Sequence, residues 1–423
     1  MSHDLERGEG EVFDLQIDSI AAGGDGVGRH DGLVVFVPRT APGDLVRVSA
    51  ERHDRLMRGQ VVELLKPSPQ RVAPPCEHYV VDRCGGCQIQ HLLYEAQVDA
   101  KRGVLYDSLT RIGRLQVEQP VVEPSDKPWR YRRKLTLALR KRGGGWVAGL
   151  HRYDAPDVFE LRDCLITDEE VLAAWTLVLA HQQFLPAARE LRAAVRLLTF
   201  GFSFTLEGGR DWRSHDRFFA AIPTLAELWW KPEGKPRRQL QSRGTNGQAG
   251  ASFTQVNPGV AAKLREWVIS LATASNPRTA IDAYAGTGDI AVALAEHGVR
   301  VTAIEVDRDA ARVSQARLPE GSRAVAASVE DALLEALPAD VVILNPPRAG
   351  LDPKVPTLLA SSADKAVERG RGPGTIIYVS CNPATLARDL RRMDSYRIRS
   401  LRAFDMFPQT AHVETVCELV PAA

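Results

Sequence analysis

The sequence predicts a multidomain chain: a small N-terminal β-barrel, a mixed, β-rich central domain and a C-terminal Rossmann-like α/β domain. Three observations carry this reading. The 423 residues suit two or three domains at about 150 residues each. Short strands at regular spacing, parted by glycine and proline turns, fill the first 66 residues. From Thr279 onward apolar strands alternate with helices, the pattern of a parallel, doubly wound sheet. Hydrophobic residues at 44% and charged residues at 25% exclude a disordered, collagenous or coiled-coil chain. Lys+Arg 54 against Asp+Glu 53 leaves a net charge of +1, which excludes a uniformly basic surface.

The elements follow in chain order. Val12–Ser19, Leu33–Pro38, Asp44–Glu51 and Gly59–Lys66 read as strands, with a glycine-rich turn over 22–28 and Pro42-Gly43 between them. Pro67–Pro75 is a linker. Leu92–Ile112 has helical apolar spacing. The following region reads as strands at Lys134–Leu139 and Leu197–Leu206, with a helix over Glu169–Gln182. Strands at Thr279–Ala283, Arg300–Glu305, Asp340–Leu344 and Thr375–Ser380 then alternate with helices at Asp289–His297, Asp309–Arg317 and Ala384–Arg392.

The longest apolar stretch, around Val171–Ala180, is far short of the ~18 residues of a membrane span. The first residues are polar, with no apolar signal region, so a cytoplasmic location is expected. Six cysteines in that compartment should not form a disulfide framework. Cys84-Gly-Gly-Cys87 is a C-x-x-C, and its glycines allow a tight turn around a metal centre. Cys76 can fold back onto it, and Cys164 is the candidate fourth ligand. Four sulfur ligands suit zinc or an iron–sulfur cluster.

Asp282-Ala-Tyr-Ala-Gly-Thr-Gly288-Asp289 joins a strand to a helix, where Gly286 and Gly288 let a ligand approach the backbone. Glu305 ends the next strand and can accept bonds from ribose hydroxyls. NAD(P) and S-adenosylmethionine both fit such a loop. Asn345-Pro-Pro-Arg348 is a rigid turn that holds Asn345 at a strand's carboxyl end. Cys381, at a strand end before a helix, is placed to be a thiolate of lowered pKa. His412 and Glu414 share one face of a strand entrance.

The segment 252–257 (Ser-Phe-Thr-Gln-Val-Asn), the loop 282–289, Asn-Pro-Pro-Arg348, Ser-Cys-Asn-Pro383 and His412-x-Glu414 occur in the order seen in RNA uracil-5-methyltransferases. The chain resembles the 23S rRNA (uracil-5-)-methyltransferase branch, with an OB-like TRAM barrel and a cluster-bearing central domain. The resemblance implies domains at 8–66 (TRAM), 67–252 (RNA-binding and iron–sulfur) and 253–423 (methyltransferase). It implies that Cys381 adds to uracil C6 and that Glu414 removes the C5 proton. It puts Gln255, Tyr284, Gly286, Gly288, Glu305 and Asn345 around S-adenosylmethionine. It gives Cys76, Cys84, Cys87 and Cys164 a [4Fe-4S] cluster. The implied partner is RNA, 23S rRNA ahead of tRNA; no membrane partner is expected from the short apolar stretches, and a monomer is the default expectation.

Three positions depart from the family pattern. Asn345 stands where Asp is usual, Ser328 where Asn is common, and two extra residues separate Cys76 from Cys84. Asn-Pro-Pro also occurs in amino-methyltransferases, which keeps that activity, and a non-catalytic RNA-binding factor, as alternatives. Residues 127–142 hold Lys127, Arg130, Arg132, Arg133, Lys134, Arg140, Lys141 and Arg142 with no acid, and Trp129, Tyr131 and Trp146 lie among or beside them. This stretch is the expected RNA-facing surface, with aromatic faces for stacking.

Overall fold

The computed structural model describes residues 10–153, 155–244, 255–360 and 373–422. Residues 252–254 of the quoted motif, and the 252/253 domain boundary, lie outside the described residues. Three sheets organise the chain.

The first sheet runs in the order Glu11–Gln16, Leu45–His53, Leu56–Lys66, Leu33–Val37, Gly26–His30, Ser19–Ile20. Its core is Leu15, Ile17, Val35, Val37, Val46, Val48, Ala50 and Met57. The strand expected over Val12–Ser19 is two strands. The Ile17 N–H donates to Asp44 O and the Asp18 N–H to Val27 O, so the chain changes partners there. Asp44 is fully buried, accepts from the Ala41 and Ser68 N–H groups and pairs with Arg71, which ties the barrel to the linker.

The second sheet runs Val158–Glu160, Gly145–His151, Lys134–Arg142, Glu190–Leu197, Phe202–Glu207, Leu225–Lys231, Arg238–Ser242. The strand expected over Leu197–Leu206 is instead a hairpin: Gly201, at φ +71°, turns the chain, and Phe202 pairs with Leu197. Helix Glu169–Ala180 covers one face, capped by Asp168, whose carboxylate accepts from the Glu170 N–H. It buries Val171, Ala174, Trp175 and Val178. The aromatics of the basic stretch are not open faces. Tyr131 and Trp146 are 4% and 8% exposed: strand alternation turns Trp146 into this core, and Tyr131, ahead of the strand, packs with Cys87. Arg130 is committed to Asp163.

The third sheet runs Arg323–Ala326, Arg300–Glu305, Thr279–Ala283, Val341–Leu344, Thr375–Ser380, Glu414–Pro421, Tyr396–Phe404, Val121–Glu123. The first five strands are parallel, and Glu414–Pro421 enters antiparallel beside Thr375–Ser380. Strand order reverses at Thr279–Ala283, so ligands belong at the carboxyl edge beside it. The segment 94–123, placed by sequence in the central domain, packs here. Val121–Glu123 pairs with Tyr396–Phe404, and Leu105, Leu109 and Val122 join the sheet's core. Helix Tyr94–Asp107 is thus a bridge between the cysteine region and this sheet. No helix among the described residues is long and apolar enough to cross a membrane.

Candidate active site and cysteine cavity

Three adjacent strand ends converge on one edge. The Asn345 N–H donates to Ala283 O at 3.2 Å, joining the Pro-Pro turn to the glycine loop. Asn382 caps helix Pro383–Leu390 and donates through Nδ2 to Arg348 O at 3.3 Å, joining that turn to Cys381. Ser380 pairs with Thr415, and the next residues along, Cys381 and Glu414, are close enough for the Glu414 charge to act on the thiol. Arg348 Nη2 donates to His412 Nδ1 at 3.1 Å. The structure therefore brings Cys381, Glu414, Arg348 and His412 together.

The electrostatics follow from burial. Glu414 is 4% exposed, and desolvation pushes its carboxyl up to about 7, against the pull of Arg348. His412 is held down at about 4 by burial and then by the charges of Arg348 and Lys101. It is a neutral acceptor for Arg348 at neutral pH. The lowered thiol expected at Cys381 is not found. Burial raises it, the Glu414 charge raises it further, and Arg348 only partly opposes them.

The glycine loop is a strained cradle. Tyr284 sits at φ +63°, a conformation costly for a side chain with a Cβ. A Cβ on Gly288 would lie 2.2 Å from Ser314 Oγ, whereas one on Gly286 would meet nothing within 4 Å. Gly288 thus allows the helix–helix approach, and Gly286 leaves its side of the loop open. Glu305 accepts from the Gly286 and Asp307 N–H groups, both at 2.8 Å. Asp282 was not singled out by sequence. It is buried, accepts from the Ala291 N–H, and desolvation pushes it up to about 7. Gln255 is half-buried, and its Oε1 is buried without a hydrogen-bond partner among the described residues. Ser328 spends its hydroxyl on Asp331, donating at 2.6 Å.

Cys76, Cys84, Cys87 and Cys164 line one cavity, and none is in a disulfide. Burial pushes the Cys76 and Cys87 thiols up, and Cys84 up to about 11. The Gly86 N–H donates to Cys84 Sγ at 3.4 Å, as the C-x-x-C turn allows. Among the described residues no three His, Cys, Asp or Glu side chains are placed to hold a single metal ion.

The cysteine loop is tied to the loop that leads to Glu414. The Gln88 and Ile89 N–H groups both donate to Gln409 O, at 3.1 and 3.2 Å. Gln409 sits at φ +71° and exchanges two bonds with Gln97. Tyr131 donates to Pro408 O, and Lys101 forms a fully buried pair with Asp405. Replacing Lys101 by Met strands a buried carboxylate. The loss is expected to be about 3–5 kcal/mol of unfolding free energy, measured in urea. The double variant K101M/D405N should lose less than the two single losses added. Full additivity would refute the pairing.

A family model described as tRNA (Uracil-5-)-methyltransferase matches residues 239–322 and 320–420, and a TRAM domain model matches residues 6–64. An uncharacterized RNA methyltransferase of Thermosynechococcus vestitus is 31% identical, over 97% of this chain and 98% of its own. Another, from Protochlamydia amoebophila, is 30% identical, over 96% of both chains. The crystal structure of Pyrococcus abyssi tRNA (uracil-54, C5)-methyltransferase with S-adenosyl-L-homocysteine shares the fold: TM-score 0.70, 24% identity, 96% of this chain and 99% of that one. The chain belongs to the RNA uracil-5-methyltransferase family and carries a TRAM domain at its N-terminal end.

Proposed function

We propose that the protein transfers a methyl group from S-adenosylmethionine to C5 of a uridine in 23S rRNA, through a covalent Cys381–C6 adduct. The observation that carries this is the closeness of Cys381 to a buried carboxyl, Glu414, at the ends of two paired strands on the ligand edge of the sheet. Uracil C5 is a poor nucleophile. Cys381 Sγ adds to C6, and the pair of electrons moves into C5 and the C4 carbonyl. S-adenosylmethionine supplies the electrophilic methyl group. Glu414 then takes the C5 proton, and elimination frees Cys381. Arg348, close enough to influence both groups, steadies the negative charge of Glu414 and lowers the thiol.

The cradle fits such a cofactor. Gly286 leaves its side of the loop open, Gln255 keeps an unpartnered buried oxygen, and Glu305 presents a carboxylate beside the loop. Tyr284, Gly288 and Asn345 complete the set. Asn345 lacks the charge of the usual Asp, so it positions by hydrogen bonding alone.

We assign a [4Fe-4S] cluster to Cys76, Cys84, Cys87 and Cys164, which surround one cavity. Each thiolate of such a cluster binds a different iron, so the sulfurs stand around a void rather than converge on a point. The ties from Gln88 and Ile89 to Gln409 give the cluster a structural role in placing the loop that leads to Glu414. Protein purified without oxygen should hold about four irons and four sulfides per chain. Cys84→Ser should lose most of that iron. Iron-free native protein with intact activity would sink the assignment.

The functional test is methyl transfer from labelled S-adenosylmethionine to 23S rRNA and tRNA transcripts. Transfer to a ribosomal fragment, with 5-methyluridine in the digest, is the expected result. Transfer to tRNA alone would move the substrate. The TRAM barrel and the four-cysteine cavity favour ribosomal RNA; the family model's description names tRNA.

A further inference from the structure

We propose that the groove between the N-terminal barrel and the cysteine loop is a second nucleotide site, which holds an unstacked nucleotide flanking the target uridine. The inference rests on RNA being the substrate. The groove has a volume of about 570 Å³ and is walled by the barrel turn Gly23-Gly24, Arg39, the loop residue Gly86, and the hairpin residues Arg152 and Tyr153.

Its wall is built for a flat ring. The Arg39 guanidinium lies 4.2 Å from the Tyr79 ring centroid and 4.9 Å from that of Tyr153. The Arg83 guanidinium lies 4.7 Å from Tyr153. Of these, Arg39 and Tyr153 line the groove, Tyr79 is buried, and Tyr153 remains 41% exposed. Such surfaces take unstacked bases, while cations draw the backbone. Arg152 is anchored by donating to Asp82 O. The single carboxylate on the wall, Asp25, is held toward its neutral form by burial. Two polar atoms on lining residues, Arg39 Nη2 and Gln88 Oε1, are buried without hydrogen-bond partners among the described residues. One is a donor and the other an acceptor, and a base edge offers the complement of both.

The groove lies beside the loop that leads to His412 and Glu414. A Cβ on Gly24 would lie 3.4 Å from the Ala411 Cβ, next to His412, and 2.4 Å from the Gln88 Cβ. The bare Gly24 backbone lets the barrel approach both loops. A nucleotide held here is therefore a near neighbour, along the strand, of one flipped toward Cys381. RNA matches both the stack and the charge.

The test uses the full-length protein and two RNAs: a ribosomal fragment with long flanks, and an oligonucleotide trimmed to the target uridine and its nearest neighbours. Tyr153→Ala should raise KM on the long RNA about 10-fold, the effect of losing one stacked base, with kcat unchanged. It should leave the trimmed RNA unaffected. Tyr153→Phe keeps the ring and should behave as wild type. A 4-thiouridine-substituted long RNA should crosslink to the peptide containing Tyr153. Methylation by Y153A with unchanged KM, or no crosslink there, would overturn the groove and leave the methylation reading standing. A crosslink at Tyr153 without methylation by the wild type would do the reverse.

Discussion

Cys381→Ala is expected to lower methyl transfer by on the order of 10⁴-fold or more, the scale of losing a covalent nucleophile. The fold should survive, because Cys381 is half-buried at a strand end and alanine is smaller. Wild-type protein with 5-fluorouridine RNA and cofactor should give an adduct stable to denaturing electrophoresis, since fluorine cannot leave as a proton. The variant should give none. Each failure has a meaning. An active wild type without adduct would remove the thiolate mechanism. An active C381A would point to direct transfer, the amino-methyltransferase reading of Asn345-Pro-Pro. Unchanged cellular function of an inactive C381A would favour an assembly factor. The raised thiol adds a pH signature. Burial and the Glu414 charge hold Cys381 protonated at neutral pH, so adduct formation should speed up as pH rises.

Much of this site is legible in the chain, because strand ends and tight turns leave short, local marks. Cys381 lies one residue past a buried strand, and Glu414 opens another. What the chain hides is what pairs across distance. Lys101 and Asp405 are 304 residues apart, and neither carries a mark of burial. Val121–Glu123 is too short to announce that it edges the third sheet. The positive φ of Tyr284 and Gln409 is imposed by packing, not by residue type. The thiol of Cys381 was misjudged for the same reason. Burial raises it most, and a carboxyl brought in by an antiparallel strand from the end of the chain raises it further. Gly288 marks the turn it makes, but the strand expected over Leu197–Leu206 ran through Gly201, where the chain turns.

Glu414→Gln should reduce turnover about 10²–10⁴-fold, the range of a lost general base. It should also change what accumulates. Cys381 can still add and the methyl group can still transfer, but the C5 proton has no acceptor. A methylated protein–RNA adduct should then persist on denaturing gels with ordinary uridine RNA. In the wild type the rate should climb with pH through about 7, where Glu414 loses its proton, and Glu414→Gln should erase that limb. The same burial fixes the sign of a stability effect. The folded carboxyl titrates at about 7, above its ordinary 4.5. Below 4.5 both folded and unfolded chains are protonated, and the folded state bears no penalty. Between 4.5 and 7 only the unfolded chain ionises, so stability drains away; above 7 the loss is complete. Glu414→Gln does not titrate. It should match the wild type in acid and exceed it at pH 8, by urea unfolding at each pH. A gap that does not widen with pH would place Glu414 in water and remove it as a tuned base. Lower turnover with higher stability from one substitution is what a buried carboxyl kept for chemistry should give; one kept for structure would lower both.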